Sequence, residues 1–225
     1  MLSRYLNVDS YNIQRFNISF LIKLLALKDI WIFNCAEGCQ SNLISQGFKI
    51  NNLSKIIVSN LHITNIAGLL GLLSSLNLIG RTKSLHIYGP RSLKYYLDLG
   101  KKYSCTNFGY IVYFHVIKTG IILNYHSFRV YALPMGSYYQ FIVVHSEQYG
   151  TFCLNKARSN YLIPGPLYGK LKKGYSFILP DGFTLNGFKL TSSNYLGKNL
   201  CFFNTNFYKR VLIESTCYSR VLLLL

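Results

Sequence analysis

Apolar and polar positions along the chain fall into a few legible blocks. Residues 18–27 and 30–33 are runs rich in apolar and β-branched residues on either side of Lys28-Asp29, a pattern that predicts a hairpin. Residues 41–46 read as a short helix, closed by Gly47, because glycine suits the left-handed turn that ends helices. Residues 54–90 are the most informative. Residues 56–58 predict a strand, 59–65 a polar turn, 67–78 a helix rich in glycine and leucine, and 85–88 a second strand stopped by Gly89-Pro90. A loop between strand and helix that carries ligand-type side chains is the natural place for chemistry. Residues 92–101 predict a helix with Ser92 as N-cap and Leu93, Tyr96 and Leu97 on one face. Residues 110–145 alternate and predict three or four strands, broken at Thr119-Gly120, Asn124-Tyr125 and Pro134-Met135-Gly136. Residues 200–203 and 211–213 read as further strands, and the apolar end, residues 221–225, requires burial as a strand or at an interface. A β-rich first part, one strong helix and more strands predict an α/β sandwich. A chain of 225 residues suffices for one sizeable domain, 1–225, with a projecting arm.

Composition changes this picture in one respect. Lys and Arg number 24 against 7 Asp and Glu, a net charge of +17. Such a field favours a polyanionic partner, with nucleic acid first and an anionic membrane surface second; drift toward Lys, Asn, Ile, Tyr and Phe, as in A+T-rich organelle genomes, accounts for the same numbers without selection. No segment offers the ~20 nearly uncharged apolar residues of a membrane span. The first residues lack the order of a signal peptide and the Arg- and Ser-rich character of a transit peptide, so the chain is expected to work where it is made. From Tyr149 the texture shifts, with three of the five prolines in one stretch. Pro164-Gly165-Pro166 is incompatible with a helix interior or central strand. Lys170, Lys172 and Lys173 follow, with Tyr168 and Tyr175 on either side of them, a mixture that suits RNA backbone and bases and equally describes a solvated lysine turn. The six cysteines are dispersed; Cys35 and Cys39 make half a zinc site or a pair of buried thiols, and the second is favoured because no other close pair completes a site.

Several stretches together resemble ribonuclease Z, the tRNA 3′-end endonuclease of the metallo-β-lactamase fold, and its diverged plastid-encoded members in particular. Residues 33–40, FNCAEGCQ, resemble that family's FDCGEGTQ; residues 67–81 its GLPGLLSSL-x-L-x-GR region; residues 85–90 its strand ending in YGP; residues 149–174 its GIPPGPLYGKLKRG segment, followed by LPDG at 179–182 as its L-x-DG. The resemblance implies an αββα sandwich, truncated at the C-terminal end. It implies a role in tRNA 3′-end maturation, dimerisation with itself or with a complete homologue, and a plastid location without membrane attachment. It also implies that the arm within about 150–190 grips tRNA precursors through Gly165, Pro166, Tyr168, Lys170, Lys172 and Lys173.

The resembled family hydrolyses RNA with two zinc ions held by an HxHxDH loop, further histidines and a bridging aspartate. Aligned on its flanks, the loop here reads Asn60, His62, Thr64 and Asn65 where the family has histidine, histidine, aspartate and histidine. Asn204 falls near a later aspartate ligand, and His145 near the mid-chain histidine. Asn and Thr are poor zinc ligands, so metal coordination is left to His62 and His145, no residue takes the catalytic aspartate's role, and zinc is expected to be absent or weakly bound. His86, His115 and His126 read as packed or surface residues. The expected function is binding of tRNA precursors with weak or lost cleavage. The alternatives are an active phosphodiesterase that draws ligands from unexpected positions or from a partner subunit, and a structural component of an organellar ribonucleoprotein.

Overall fold

The computed structural model describes residues 6–8, 11–16, 19–24, 28–125, 127–147, 149–180, 182–193, 197–203 and 221–224. The hairpin around Lys28 forms, with Lys28 at φ 56. It joins β3 (Ser19–Leu24) to β4 (Asp29–Phe33). On their far side lie β2 (Tyr11–Phe16) and then β1 (Leu6–Val8), both antiparallel. From β4 onward the sheet is parallel through β5 (Leu53–Ile57), β6 (Leu85–Gly89) and β7 (Val112–Val116), giving seven strands in sequence order. Each parallel step needs a crossover. These are made by α1 (Cys39–Ser45), by α2 (Ile63–Ile66) with α3 (Leu69–Leu78), and by α4 (Ser92–Tyr103).

Period-two alternation divides β4 between two cores. Ile30 and Ile32 face the helices, packing with Leu43 of α1, Leu69, Leu72, Leu73 and Leu76 of α3 and Leu93 of α4. Trp31 and Phe33 face the other way, into a second sheet. That sheet comprises β8 (Gly120–Tyr125), β9 (Phe128–Met135), β10 (Tyr138–His145), β13 (Lys198–Phe203) and β14 (Val221–Leu224), ordered β14-β13-β10-β9-β8. Phe33 stacks on Phe202 at 4.4 Å between ring centroids, tying the two sheets together.

The remaining elements form a protrusion. Residues 151 and 192 close its neck: Ser192 N–H donates to the Thr151 carbonyl (2.9 Å) and Thr151 N–H to Ser192 Oγ (2.8 Å). Beyond the neck lie α5 (Leu154–Ser159), α6 (Leu167–Lys172), the hairpin β11 (Ser176–Ile178) with β12 (Thr184–Asn186), and α7 (Gly187–Leu190). They surround a small core of their own, Leu171, Leu185 and Leu190.

Two local expectations need correction. Ser92 is the first helical residue of α4 rather than its cap; Arg91 holds the cap position in a helical conformation without a side-chain bond, because the turn already starts at Pro90, whose carbonyl accepts from Leu93 N–H. The helix expected at 67–78 starts earlier, as α2, and is interrupted at Ala67-Gly68 before α3. The strand expected at 211–213 lies outside the described residues.

Between the sheets, the polar face of β5–β7 holds a titratable row that sequence distance concealed. Register places Lys55, His86 and Tyr113 side by side. His86 Nδ1 lies 3.0 Å from His115 Nε2, and the rings of Tyr113, His86, His115 and Tyr88 stack in succession. Burial, then His115, then Lys55 hold the His86 imidazolium below its usual pKa. A histidine whose folded pKa is depressed binds its proton less well than in the unfolded chain, so stability is complete above the unfolded value and falls as pH drops below about 6.5. Thermal unfolding followed from pH 7.5 to 5.5 is therefore expected to show falling stability, with a shallower fall in His86→Gln; an equally steep fall in that variant would contradict this assignment.

Candidate functional site

The strand-to-helix loop sits at the C-terminal ends of β4, β5 and β6, where loops of a parallel sheet converge. β5 delivers the chain into it through Val58, whose N–H donates to the Tyr88 carbonyl at 2.8 Å. Asn34, immediately after β4, is buried with φ 56, a left-handed backbone that asparagine tolerates better than most residues. Its Oδ1 accepts from both Ser59 N–H (2.9 Å) and Ser59 Oγ–H (3.0 Å), clamping the two loops together.

The residues aligned with metal ligands bond to one another in part. Asn60 Oδ1 accepts from Asn65 Nδ2 and from His62 N–H (3.2 Å). His62 Nδ1 lies 2.8 Å from Thr64 Oγ1 on an exposed ring. Asn65 belongs to α2 and is buried; its backbone carbonyl accepts from Cys35 N–H at 2.7 Å, while its side-chain Oδ1 is buried with no donor. An amide oxygen and one exposed imidazole are a poor donor set beside histidines and carboxylates. They do not fit a two-zinc centre, and among the described residues no group of three or more His, Cys, Asp or Glu converges on a point.

His145 does not join His62. Tyr139 N–H donates to the Ser59 carbonyl at 3.0 Å, so the start of β10 touches the loop. His145 lies six residues further along the same strand, about 20 Å away at ~3.4 Å per residue. There it is buried, its ring against Phe128 at 4.5 Å. Asn204 lies outside the described residues.

Beside the loop, Cys35 and Cys39 are buried free thiols. Their contact pushes the Cys35 thiol up, reinforced by burial, and holds Cys39 down.

On the protrusion, the sequence-predicted binding residues fall into two groups. Gly165, Pro166, Lys170, Lys172 and Lys173 are exposed. Tyr168 points inward instead: its hydroxyl donates to the Leu162 carbonyl at 2.7 Å and its ring lies 4.7 Å from that of Phe152. It anchors α6 to the protrusion, holding the lysines in place. Sequence reasoning passed over Phe188, and it read His86 and His115 singly as packed or surface residues, since only the fold brings the two together. The available signal for Phe188 was an aromatic residue next to Lys189 in a stretch, residues 150–190, with six Lys or Arg and one acid, Asp181.

No protein-family model matches the chain. It is 37% identical over 215 residues to the ycf56 protein of Porphyra purpurea, covering 94% of this chain and 79% of that protein. It is 31% identical over 193 residues to the ribonuclease Z of Nostoc sp., covering 84% of this chain and 60% of that protein, so the chain spans about three-fifths of the length of that relative. Among solved structures, the metallo-β-lactamase fold protein YhfI from Bacillus subtilis superposes with a TM-score of 0.54 at 12% identity, covering 91% of this chain and 61% of that one. The likeness assigns the architecture: a metallo-β-lactamase fold. No described helix is long and apolar enough to cross a membrane.

Proposed function

The chain belongs to a family that takes in both the ycf56 proteins and ribonuclease Z, and on that premise we propose that it binds tRNA precursors in 3′-end maturation with little or no cleavage of its own. The observation that carries this reading is the contrast between its two candidate surfaces. At the loop, Asn60 and Asn65 bond to each other and Thr64 to His62, so the aligned positions are engaged in amide and hydroxyl contacts in place of a ligand cluster. On the protrusion, Lys170, Lys172 and Lys173 stand exposed from a frame fixed by Tyr168. A field of that sign attracts phosphate backbones and positions them, whether or not a bond is then cut. The binding partner in this reading is a tRNA precursor, and the compartment is the plastid, on kinship with the ycf56 proteins. Dimerisation with itself or with a complete homologue belongs to the same proposal.

A second reading keeps cleavage and brings the missing ligands from elsewhere in the chain or from a partner subunit. It is favoured by His62, whose exposed ring makes no hydrogen bond at Nε2 among the described residues. Metal analysis of protein purified from zinc-supplemented medium separates the two. Fewer than two tightly held zinc ions per chain are expected after exhaustive dialysis. Two ions per chain, lost in His62→Ala, would overturn the first reading in favour of the second.

A further inference from the structure

The protrusion carries exposed rings where a folded surface would ordinarily hide them, and their placement beside the lysines has a definite chemistry. Phe188 is 67% exposed and Tyr175 60% exposed. Both are carried on fixed backbone, and the Phe188 ring is also packed. Gly187, the first residue of α7, lies directly on the Lys170–Tyr175 turn: its N–H donates to the Tyr175 carbonyl at 3.2 Å, and any side chain there would collide with Leu171 O at 2.4 Å. The Phe188 ring then lies across Gly174, so close that a Cβ on Gly174 would sit 2.7 Å from the ring's Cζ. Gly174 has φ +87, a backbone state that favours glycine, so the surface under the ring is flat by construction. Asn186 Oδ1 accepts from Phe188 N–H at 2.9 Å and fixes the start of α7. The turn beneath is closed by Lys173 N–H and Tyr175 N–H, both donating to the Lys170 carbonyl, at 3.0 and 3.3 Å. Lys170, Lys173, Tyr175, Phe188 and Lys189 therefore occupy one small area, with exposed ring faces among exposed ammonium groups.

Apolar rings exposed to water on a fixed backbone are costly unless something covers them. The charge around them selects the occupant: six Lys or Arg against one acid over residues 150–190 exclude a basic partner and favour a polyanion. A polyanion that also offers flat apolar faces is a single-stranded nucleic acid, whose bases stack on aromatic side chains while its phosphates follow the cations. We propose that Phe188 and Tyr175 form a stacking platform for unpaired RNA bases, flanked by Lys170, Lys173 and Lys189, which hold the adjoining phosphates. The platform adds to the reading of the protrusion as the RNA-gripping part, on which it rests: the lysines set affinity for any phosphate backbone, and the rings distinguish unpaired bases from a duplex or from a backbone alone.

The test uses the full-length chain and two fluorescent 12-nucleotide probes, oligouridylate and a fully abasic strand of equal charge, titrated at several salt concentrations. Replacing Phe188 and Tyr175 with alanine is expected to weaken oligouridylate binding about tenfold or more, from base–ring stacking. It should leave abasic binding within about twofold and the salt slope unchanged, because no charge is removed. Phe188→Tyr should restore most of the loss, since the ring face returns. Both side chains are exposed, so the alanine variant is expected to keep the wild-type circular dichroism spectrum. Wild-type and variant binding oligouridylate equally, or losing both probes together, would overturn the platform while leaving the lysine surface in place. Loss of ring-dependent binding only to anionic vesicles, with RNA unaffected, would overturn it in favour of a lipid surface. A wild-type chain that binds neither probe would defeat the reading of the protrusion itself, and the platform with it.

Discussion

Replacing Lys170, Lys172 and Lys173 together with alanine is expected to weaken binding of a tRNA precursor about 100-fold near physiological salt. The figure follows from counterion release. Each phosphate contact contributes a slope of about −0.9 to the dependence of log K on log salt, so three contacts account for a slope change of about 2.7 and two orders of magnitude at 0.15 M. All three side chains are exposed, while the α6 scaffold depends on Leu171, which is fully buried, and on Tyr168, whose hydroxyl holds the Leu162 carbonyl. The substitution therefore removes charge without removing the frame, and thermal stability should change little. Electrophoretic mobility or filter binding at several salt concentrations reads both quantities. Unchanged affinity with an unchanged slope would move the interface elsewhere and favour a purely structural role within a ribonucleoprotein.

The second large effect is expected at Gly68, where the loop and the helix layer meet. Its N–H donates to the Cys35 carbonyl at 3.0 Å. A Cβ there would stand 2.2 Å from Ala36 O and 3.0 Å from Ala36 C, both backbone atoms of a segment also fixed by Cys35 N–H to Asn65 O. Neither side can yield by turning a side chain, so Gly68→Ala should cost about 3 kcal/mol or more, at the upper end of overpacking penalties. Gly71 is the control one turn later in α3. A Cβ there would meet only Gln40 Oε1, at 4.0 Å. Gly71→Ala should be neutral or stabilising by about 0.5–1 kcal/mol through helix propensity and a less flexible unfolded chain. Urea midpoints of the two variants read the contrast, and equal midpoints would show that the close approach at Gly68 is not a constraint.

How much of this was legible in the sequence depends on the range of the interaction. The alternation of residues 110–145 predicted three or four strands, and four form, because period two is set by local pleat geometry. The hairpin at Lys28 and the burial of Leu93 and Leu97 on α4 followed from local pattern in the same way. The end of β8 was placed less well: the strand continues through Tyr125, since Tyr125 pairs with Phe128 and its hydroxyl donates to Asp29 Oδ2 at 3.1 Å, contacts that no local pattern reports. The fold itself was legible through the family resemblance, which the comparisons support. At the loop, the substitutions at Asn60, Thr64 and Asn65 were visible as letters, but not that the amides would bond to each other. The pairing suggested for His62 and His145 failed for a geometric reason: both flank recognisable motifs, yet β10 carries His145 away from the end that touches Ser59. Tyr168 looked like part of an RNA surface because it lies among lysines, and only the packing of its ring on Phe152 shows it turned inward.

The central claim is that RNA binding outlasts cutting in this chain. The most direct measurement is single-turnover cleavage of a 3′-extended tRNA precursor by the purified full-length chain, in excess over RNA and above its dissociation constant, with Zn²⁺ or Mn²⁺ supplied. The expected result is a retarded but intact precursor, with retardation lost in the Lys170, Lys172 and Lys173 variant. Metal-dependent release of the 3′ trailer that disappears in His62→Ala would contradict it.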